Sequence, residues 1–164
     1  MKQRAFTLME LMIVIVIIGI LSAVGMVMFG GQAEKAKIAA AKSNHKSVVK
    51  YISVEVMKCE LGETSVMDGE LLCSNANIGI KIAEAALRNA NTSKTLSFKN
   101  PYDTKVLALR KQSGHTTGAD ADVGYINVGG HNTIPLVSVY GCVALKCDPT
   151  PNRIWANLCF QASC

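Results

Sequence analysis

Apolar and polar positions alternate along this chain in three different ways, and each predicts a different element. From Leu11 to Phe29, nineteen residues carry no charge and only Ser22 carries a hydroxyl. With the preceding residues the run spans Phe6 to Phe29, 24 residues, enough at about 1.5 Å each to cross a hydrocarbon core of roughly 30 Å as a helix. Beyond Gly30 and Gly31 the pattern changes to a stripe. Ile38, Ala41, His45, Val48, Ile52, Val56 and Cys59 recur at intervals of three and four, while Lys35, Lys42, Lys46, Lys50 and Lys58 fall largely on other faces. This predicts an amphipathic helix to Cys59, with His45 a partly buried structural residue. Read as one rod, Phe6 to Cys59 extends about 80 Å. The remaining hundred or so residues are too few to bury it, so half of it needs another partner.

The third pattern is mixed. Gly62, Asp68 and Gly69 mark a loop bracketed by Cys59 and Cys73. Ile78 to Leu87 predicts a short helix, closed by the polar cluster Asn89, Asn91, Thr92 and Ser93. Strand-like runs come next at Lys105 to Lys111, Val123 to Val128, Ile134 to Leu145 and Ile154 to Phe160, separated by Gly, Asp, Asn and Pro. The expected class is α+β: a long N-terminal helix packed by its second half against a roughly four-stranded antiparallel sheet. The chain then divides into four regions: a short basic leader at 1–5, an apolar helix at 6–31, its amphipathic continuation at 32–59, and a disulfide-stabilised αβ-loop and sheet at 60–164.

Composition sharpens this reading. The chain is 49% hydrophobic over 164 residues, but the apolar residues are concentrated at the N-terminus, and there are only one Trp, four Tyr and four Phe. A thin aliphatic core needs a staple, and six cysteines at 59, 73, 142, 147, 159 and 164 supply one. The spacings of Cys142/Cys147 and Cys159/Cys164 are also compatible with zinc. An N-terminal membrane-inserting segment favours disulfides, because it carries the C-terminal part of the chain into an oxidising space. The net charge is +5, to which Lys2 and Arg4 contribute two; the remainder holds 15 Lys and Arg against 12 Asp and Glu. That balance is too small and dispersed to indicate nucleic-acid binding.

The basic residues ahead of the apolar run are the arrangement that keeps an N-terminus cytoplasmic while the rest crosses. The run lacks the small-residue cleavage site that ends an ordinary secretory signal. Gly19, Ser22, Ala23 and Gly25 permit close approach of a neighbouring helix. Glu10 is the sole acidic residue between Met1 and Gly31 and stands at the edge of the apolar run. A carboxylate there stays near the headgroups, favours the helix N-terminus, or finds a cation. Cleavage after Ala5 would create such a cation, the amine of Phe6, on the same chain or on a neighbour.

The stretch Ala5-Phe6-Thr7-Leu8-Met9-Glu10-Leu11-Met12-Ile13-Val14, after a short basic leader and before Ile17-Ile18-Gly19-Ile20-Leu21, resembles the N-terminus of bacterial type IV pilins. The resemblance implies that a prepilin peptidase cuts between Ala5 and Phe6 and methylates the new amine. It further implies that Glu10 guides subunits into a helical homo-oligomer, with pilus assembly machinery and minor pilins as partners. The implied location is the bacterial inner membrane before assembly and an extracellular filament afterwards, with no catalytic role, cofactor or metal. A minor tip pilin for adhesion or DNA binding, or a secretion-system pseudopilin, would share the same helix. Two departures stand out: Ala5 occupies a position that is usually Gly, and Gly25, Gly30 and Gly31 stand where the family usually has a proline. Adhesion, motility and DNA uptake are not distinguished by these residues.

Other candidates are weaker. Asp120 and Asp122 sit in a Gly-flanked turn, His115 and His131 lie in Gly-rich loops without a nucleophile at a telling spacing, and Asn91-Thr92-Ser93 fits a glycosylation pattern. For the cysteines, Cys59 is expected to pair with Cys73. A hairpin turning at Arg153 would nest Cys147–Cys159 inside Cys142–Cys164, given a bulge or a folded-back tail. Cys142–Cys159 with Cys147–Cys164 is the next arrangement, and Cys142–Cys147 with Cys159–Cys164, two tight local loops that leave the strands unlinked, is set below the nested pairing.

Overall fold

The structure is a computed structural model that describes residues 7–29, 31–93, 95–112, 122–145, 147 and 152–160. The chain divides into two compact units, Met1–Ala36 and Lys37–Cys164.

The first unit is dominated by α1, Leu8–Phe29. Helix α2, Gln32–Glu60, begins within it and supplies its later turns to the second unit. In place of the single rod expected from Phe6 to Cys59, α1 ends at Phe29 and α2 starts at Gln32, with Gly31 in a turn before it. Glycine, with its large backbone entropy, is the weakest ordinary helix former.

In the second unit, α2 buries Ala41, His45, Val48, Ile52, Glu55 and Val56, the period-3.6 stripe read from the sequence. After it come a two-stranded ribbon of β1, Ser65–Val66, and β2, Leu71–Leu72, a 3-10 turn at Cys73–Asn75, and α3, Gly79–Thr92. The main sheet has β3, Leu109–Lys111, β4, Ile126–Gly130, β5, Leu136–Cys142, and β6, Arg153–Cys159, in that spatial order. Val48, Ile52 and Val56 from α2, Ile82 and Ala86 from α3, and Val128, Val137 and Val139 from the sheet form one core. At an upper estimate of about 1.5–3 kcal/mol per buried aliphatic side chain, this shared layer is what holds helix to sheet. Gly79 and Gly130 let the start of α3 cross the sheet backbone to backbone, because a Cβ on either would overlap main-chain atoms.

Two expectations change. The sheet is not wholly antiparallel: β3 pairs parallel with β4, whereas β4–β5 and β5–β6 are antiparallel. Fourteen residues separate Lys111 from Ile126, enough for the crossover that a parallel pair requires. The β5–β6 hairpin also does not turn at Arg153. Its register sets Leu136 opposite Cys159 and Cys142 opposite Arg153. Cys142 and Cys159 therefore stand at opposite ends of the ladder, too far apart for a bridge that tolerates only about 7 Å between Cα atoms. Instead Cys142 bonds Cys147, with their Cα atoms 5.6 Å apart, so neither the nested pairing nor the arrangement placed next to it forms. Cys59 bonds Cys73 at a Cα separation of 5.3 Å, tying the end of α2 to the 3-10 turn. Cys159 is also disulfide-bonded. Cys164 lies outside the described residues, as do Ala5, Phe6, His115 and Asp120.

Candidate functional site

The N-terminal segment begins with a local device that the sequence displays but that charge reasoning alone overlooks. Thr7 and Glu10 form a reciprocal capping box. Glu10 Oε2 accepts from the Thr7 backbone N–H at 2.9 Å and from the Thr7 hydroxyl at 3.0 Å, while the Glu10 N–H donates to Thr7 Oγ1 at 3.3 Å. The Thr-x-x-Glu spacing ahead of an apolar run is its signature. Glu10 thus has a structural task at the start of α1, where its charge also complements the positive end of the helix dipole.

Behind this cap, every residue from Leu8 to Val24 is exposed, including Leu11, Ile13, Ile15, Ile17, Ile20 and Leu21. Leu8–Gly25 forms an 18-residue window of mean hydropathy 2.6, long and apolar enough to cross a membrane. Its helix is apolar around its whole circumference, and among the described residues the unit offers it no internal partner. Gly19, Ser22, Ala23 and Gly25 lie within α1, and a Cβ built on Gly19 or Gly25 meets nothing within 4 Å. The Ser22 hydroxyl donates to the Ile18 carbonyl at 2.7 Å, which satisfies it without water.

A family profile, the prokaryotic N-terminal methylation motif, matches residues 1–26. Motif and helix are together consistent with a type IV pilin or pseudopilin. No curated protein and no solved structure matches the chain. The α+β architecture, a long N-terminal helical region followed by a multi-stranded sheet, agrees with the pilin-like arrangement. The methylation motif and the N-terminal helix of membrane-spanning length are consistent with a structural protein that associates with the membrane at first. Among the described residues no group of three His, Cys, Asp or Glu side chains is placed to hold a metal ion.

In the second unit, polar side chains mostly anchor loops. Met67 is fully buried and, like Asp68, has φ of 56° in the left-handed region that non-glycine residues seldom adopt. The turn is held from both sides: Glu55 Oε2 accepts from the Met67 N–H at 2.6 Å, and Asn89 Nδ2 donates to the Met67 carbonyl at 3.1 Å and to Asp68 Oδ2 at 2.9 Å. Hydrogen bonds from Ser93 and then Asn89 hold the Asp68 carboxyl below its ordinary range. Lys58 pairs with Glu55, and that hydrogen bond raises the lysine. Burial, then the carboxylates of Glu55 and Asp68, pushes the Tyr51 phenol up to about 12. This αβ-loop network was not visible in the sequence, because Glu55 looks like an ordinary polar helix residue and Asn89 like part of the cluster that closes a helix at Leu87, whereas α3 continues through it to Thr92.

The remaining candidates also acquire structural roles. Asp122 pairs with Arg110, whose Nε donates to Asn127 Oδ1 at 2.7 Å. The loop that begins at His131 supplies carbonyls to the N-terminus of α3: Gly79 N–H donates to Ile134 O and Ile80 N–H to His131 O, both at 2.9 Å. His45 donates from Nε2 to the Val139 carbonyl at 3.1 Å. Burial pushes its ring below the ordinary value, against the opposing effect of that hydrogen bond. Asn91 donates to Leu87 O and Thr92 to Arg88 O, both within α3, so the glycosylation pattern falls on a helix end rather than on an open loop.

Proposed function

We propose that this chain is a structural subunit of an extracellular type IV pilus filament, held in the inner membrane by α1 before assembly. The observation that carries the reading is α1 itself, an apolar helix exposed on every side from Leu8 to Val24 and interrupted at its start by one carboxylate. In lipid such a helix is solvated by acyl chains, and in a filament by copies of itself. Both environments satisfy an all-round apolar surface with internal backbone hydrogen bonds. Gly19, Ser22, Ala23 and Gly25 allow helices to approach closely, so that packing gains contacts that lipid does not give. Prepilin peptidase would cut between Ala5 and Phe6, and methylation would come next on the Phe6 amine. The Thr7–Glu10 cap survives that cut, since the amide it uses lies between Phe6 and Thr7. Glu10 then presents its negative charge to the amine of an incoming or resident neighbour and sets subunit register.

The capping role makes a discriminating pair of substitutions available. Glutamine at this position keeps capping-box geometry without the charge, whereas alanine removes both. Glu10→Gln and Glu10→Ala are both expected to leave processed protein in the membrane and to reduce sheared filament yield severely. Normal yield from Glu10→Gln would reduce Glu10 to a helix cap. Subunit abundance tests the wider reading: a filament built mainly of this chain supports a major pilin. A trace amount in filaments dominated by another subunit would identify a minor pilin or pseudopilin.

A further inference from the structure

Strand β6 is one of the two edges of the main sheet, and among the described residues no further strand covers it. Among the described residues it pairs with β5 alone. Beyond the two ends of the ladder, Val143 N–H donates to Asn152 O at 2.8 Å and Phe160 N–H to Pro135 O at 3.4 Å, both in the register of the strand pair. Even-numbered residues of β6 therefore turn their main-chain groups toward β5. By alternation Arg153, Trp155 and Asn157 turn theirs outward. Exposed edges are normally blunted by proline, central charges or a bulge. Between Arg153 and Cys159 this one has none of these: its interior reads Ile154-Trp155-Ala156-Asn157-Leu158.

The open edge runs beside α2 along a groove whose two consecutive cavities have volumes of about 430 and 510 Å³. Val49, Ile154 and Ala156 give the first cavity an aliphatic floor, and Lys42, Lys46 and Lys50 form its rim. No acidic residue lines that stretch, whereas Glu60 lies at the far end of the second cavity. The three lysines recur every four helical residues, about 6 Å apart. Alternate side chains on an extended strand recur at about 6.7 Å. A strand laid along β6 with carboxylates at alternate positions would meet the lysines nearly in step, while its other side chains would turn to the opposite face of the sheet.

We propose that the α2–β6 groove is a β-augmentation site for an extended acidic polypeptide segment, paired to the outward main-chain groups of β6 and directed by the lysine row. Trp155, 74% exposed, lines the first cavity and Phe160 the second. A flexible nucleic acid fits the charge but has no row of main-chain N–H and C=O groups with which to continue the β6 ladder.

Because Trp155 is the chain's only tryptophan and sits on the pairing edge, its emission reports occupancy of β6 in the full-length protein in detergent micelles. The probe is a synthetic ten-residue peptide alternating valine with glutamate over its first six positions and valine with threonine over the rest. Saturable change in Trp155 emission is expected. It should weaken about tenfold in a Lys42→Glu, Lys46→Glu, Lys50→Glu protein and vanish for a peptide N-methylated at alternate residues on its pairing side. Asn157→Pro, which removes one outward N–H and spares the β5 ladder, should weaken binding while Asn157→Ala does not. Equal binding of the N-methylated peptide, or no binding of the parent, overturns the proposal. So does stronger binding of a single-stranded oligonucleotide of equal charge. A concentration-dependent emission change without any peptide also overturns it, by assigning the edge to a second copy of the chain. None of these outcomes depends on filament yield, so the groove and the pilin reading stand or fall separately.

Discussion

Helices α1 and α2 are neighbours in the chain and are both rich in aliphatic residues, yet they solve opposite problems. Helix α1 is apolar on all sides and exposes every residue from Leu8 to Val24. Helix α2 confines its buried residues to one stripe and sets lysines around it. Both the amount of apolar surface and its angular distribution separate them: α1 is apolar almost throughout, and α2 is largely polar outside its stripe. A stripe is complete when one sheet covers it, whereas an all-round apolar cylinder needs a surrounding apolar medium or several neighbours. The two helices should therefore respond differently to the same truncation.

Ile52→Ala, in the α2 stripe, removes a fully buried side chain and should lower the unfolding free energy of the second unit by about 2–5 kcal/mol. Ile17→Ala, in α1, should leave that transition unchanged when full-length protein in micelles is titrated with urea and followed by Trp155 emission. Equal losses would dissolve the contrast. Next in size is the covalent tie where α2 ends. Cys59→Ser with Cys73→Ser opens a loop of sequence separation 14 and should cost about 3 kcal/mol, seen as a fall in urea midpoint. Unchanged stability would mean that the Glu55–Met67–Asn89 hydrogen bonds suffice to hold the αβ-loop.

The smallest expected effect lies with His45, the polar member of the α2 stripe. Burial pushes its folded-state value below 6.5, so the unfolded chain takes up the proton first. Its contribution to stability is complete above pH 6.5 and is lost as pH falls from there toward the depressed folded value. Urea midpoints should accordingly drop between pH 7.5 and 5.5 in the native chain and show a flatter profile in His45→Gln. Equal slopes in the two proteins would assign the pH dependence to other groups.

Much of this molecule comes from local pattern. The membrane-length apolar run, the amphipathic stripe from Ala41 to Val56 and the Thr7–Glu10 cap are written in residues at most a few positions apart, because helical periodicity and capping are local physics. The four strand segments were also legible from alternation and turn residues. Their partners were not. Whether Leu109–Lys111 lies parallel to Ile126–Gly130, and whether Cys142 reaches Cys147 or Cys159, depends on register, and a strand's own pattern is compatible with several registers. The same holds for Met67, whose strained turn persists because Glu55 and Asn89 approach it from separate helices. Sequence by itself determined which segments are helix, which face of α2 is buried and that α1 needs surroundings other than its own domain. Only the tertiary structure decided the disulfide pairing, the parallel edge and the open β6 groove, because each depends on distances between residues far apart in the chain.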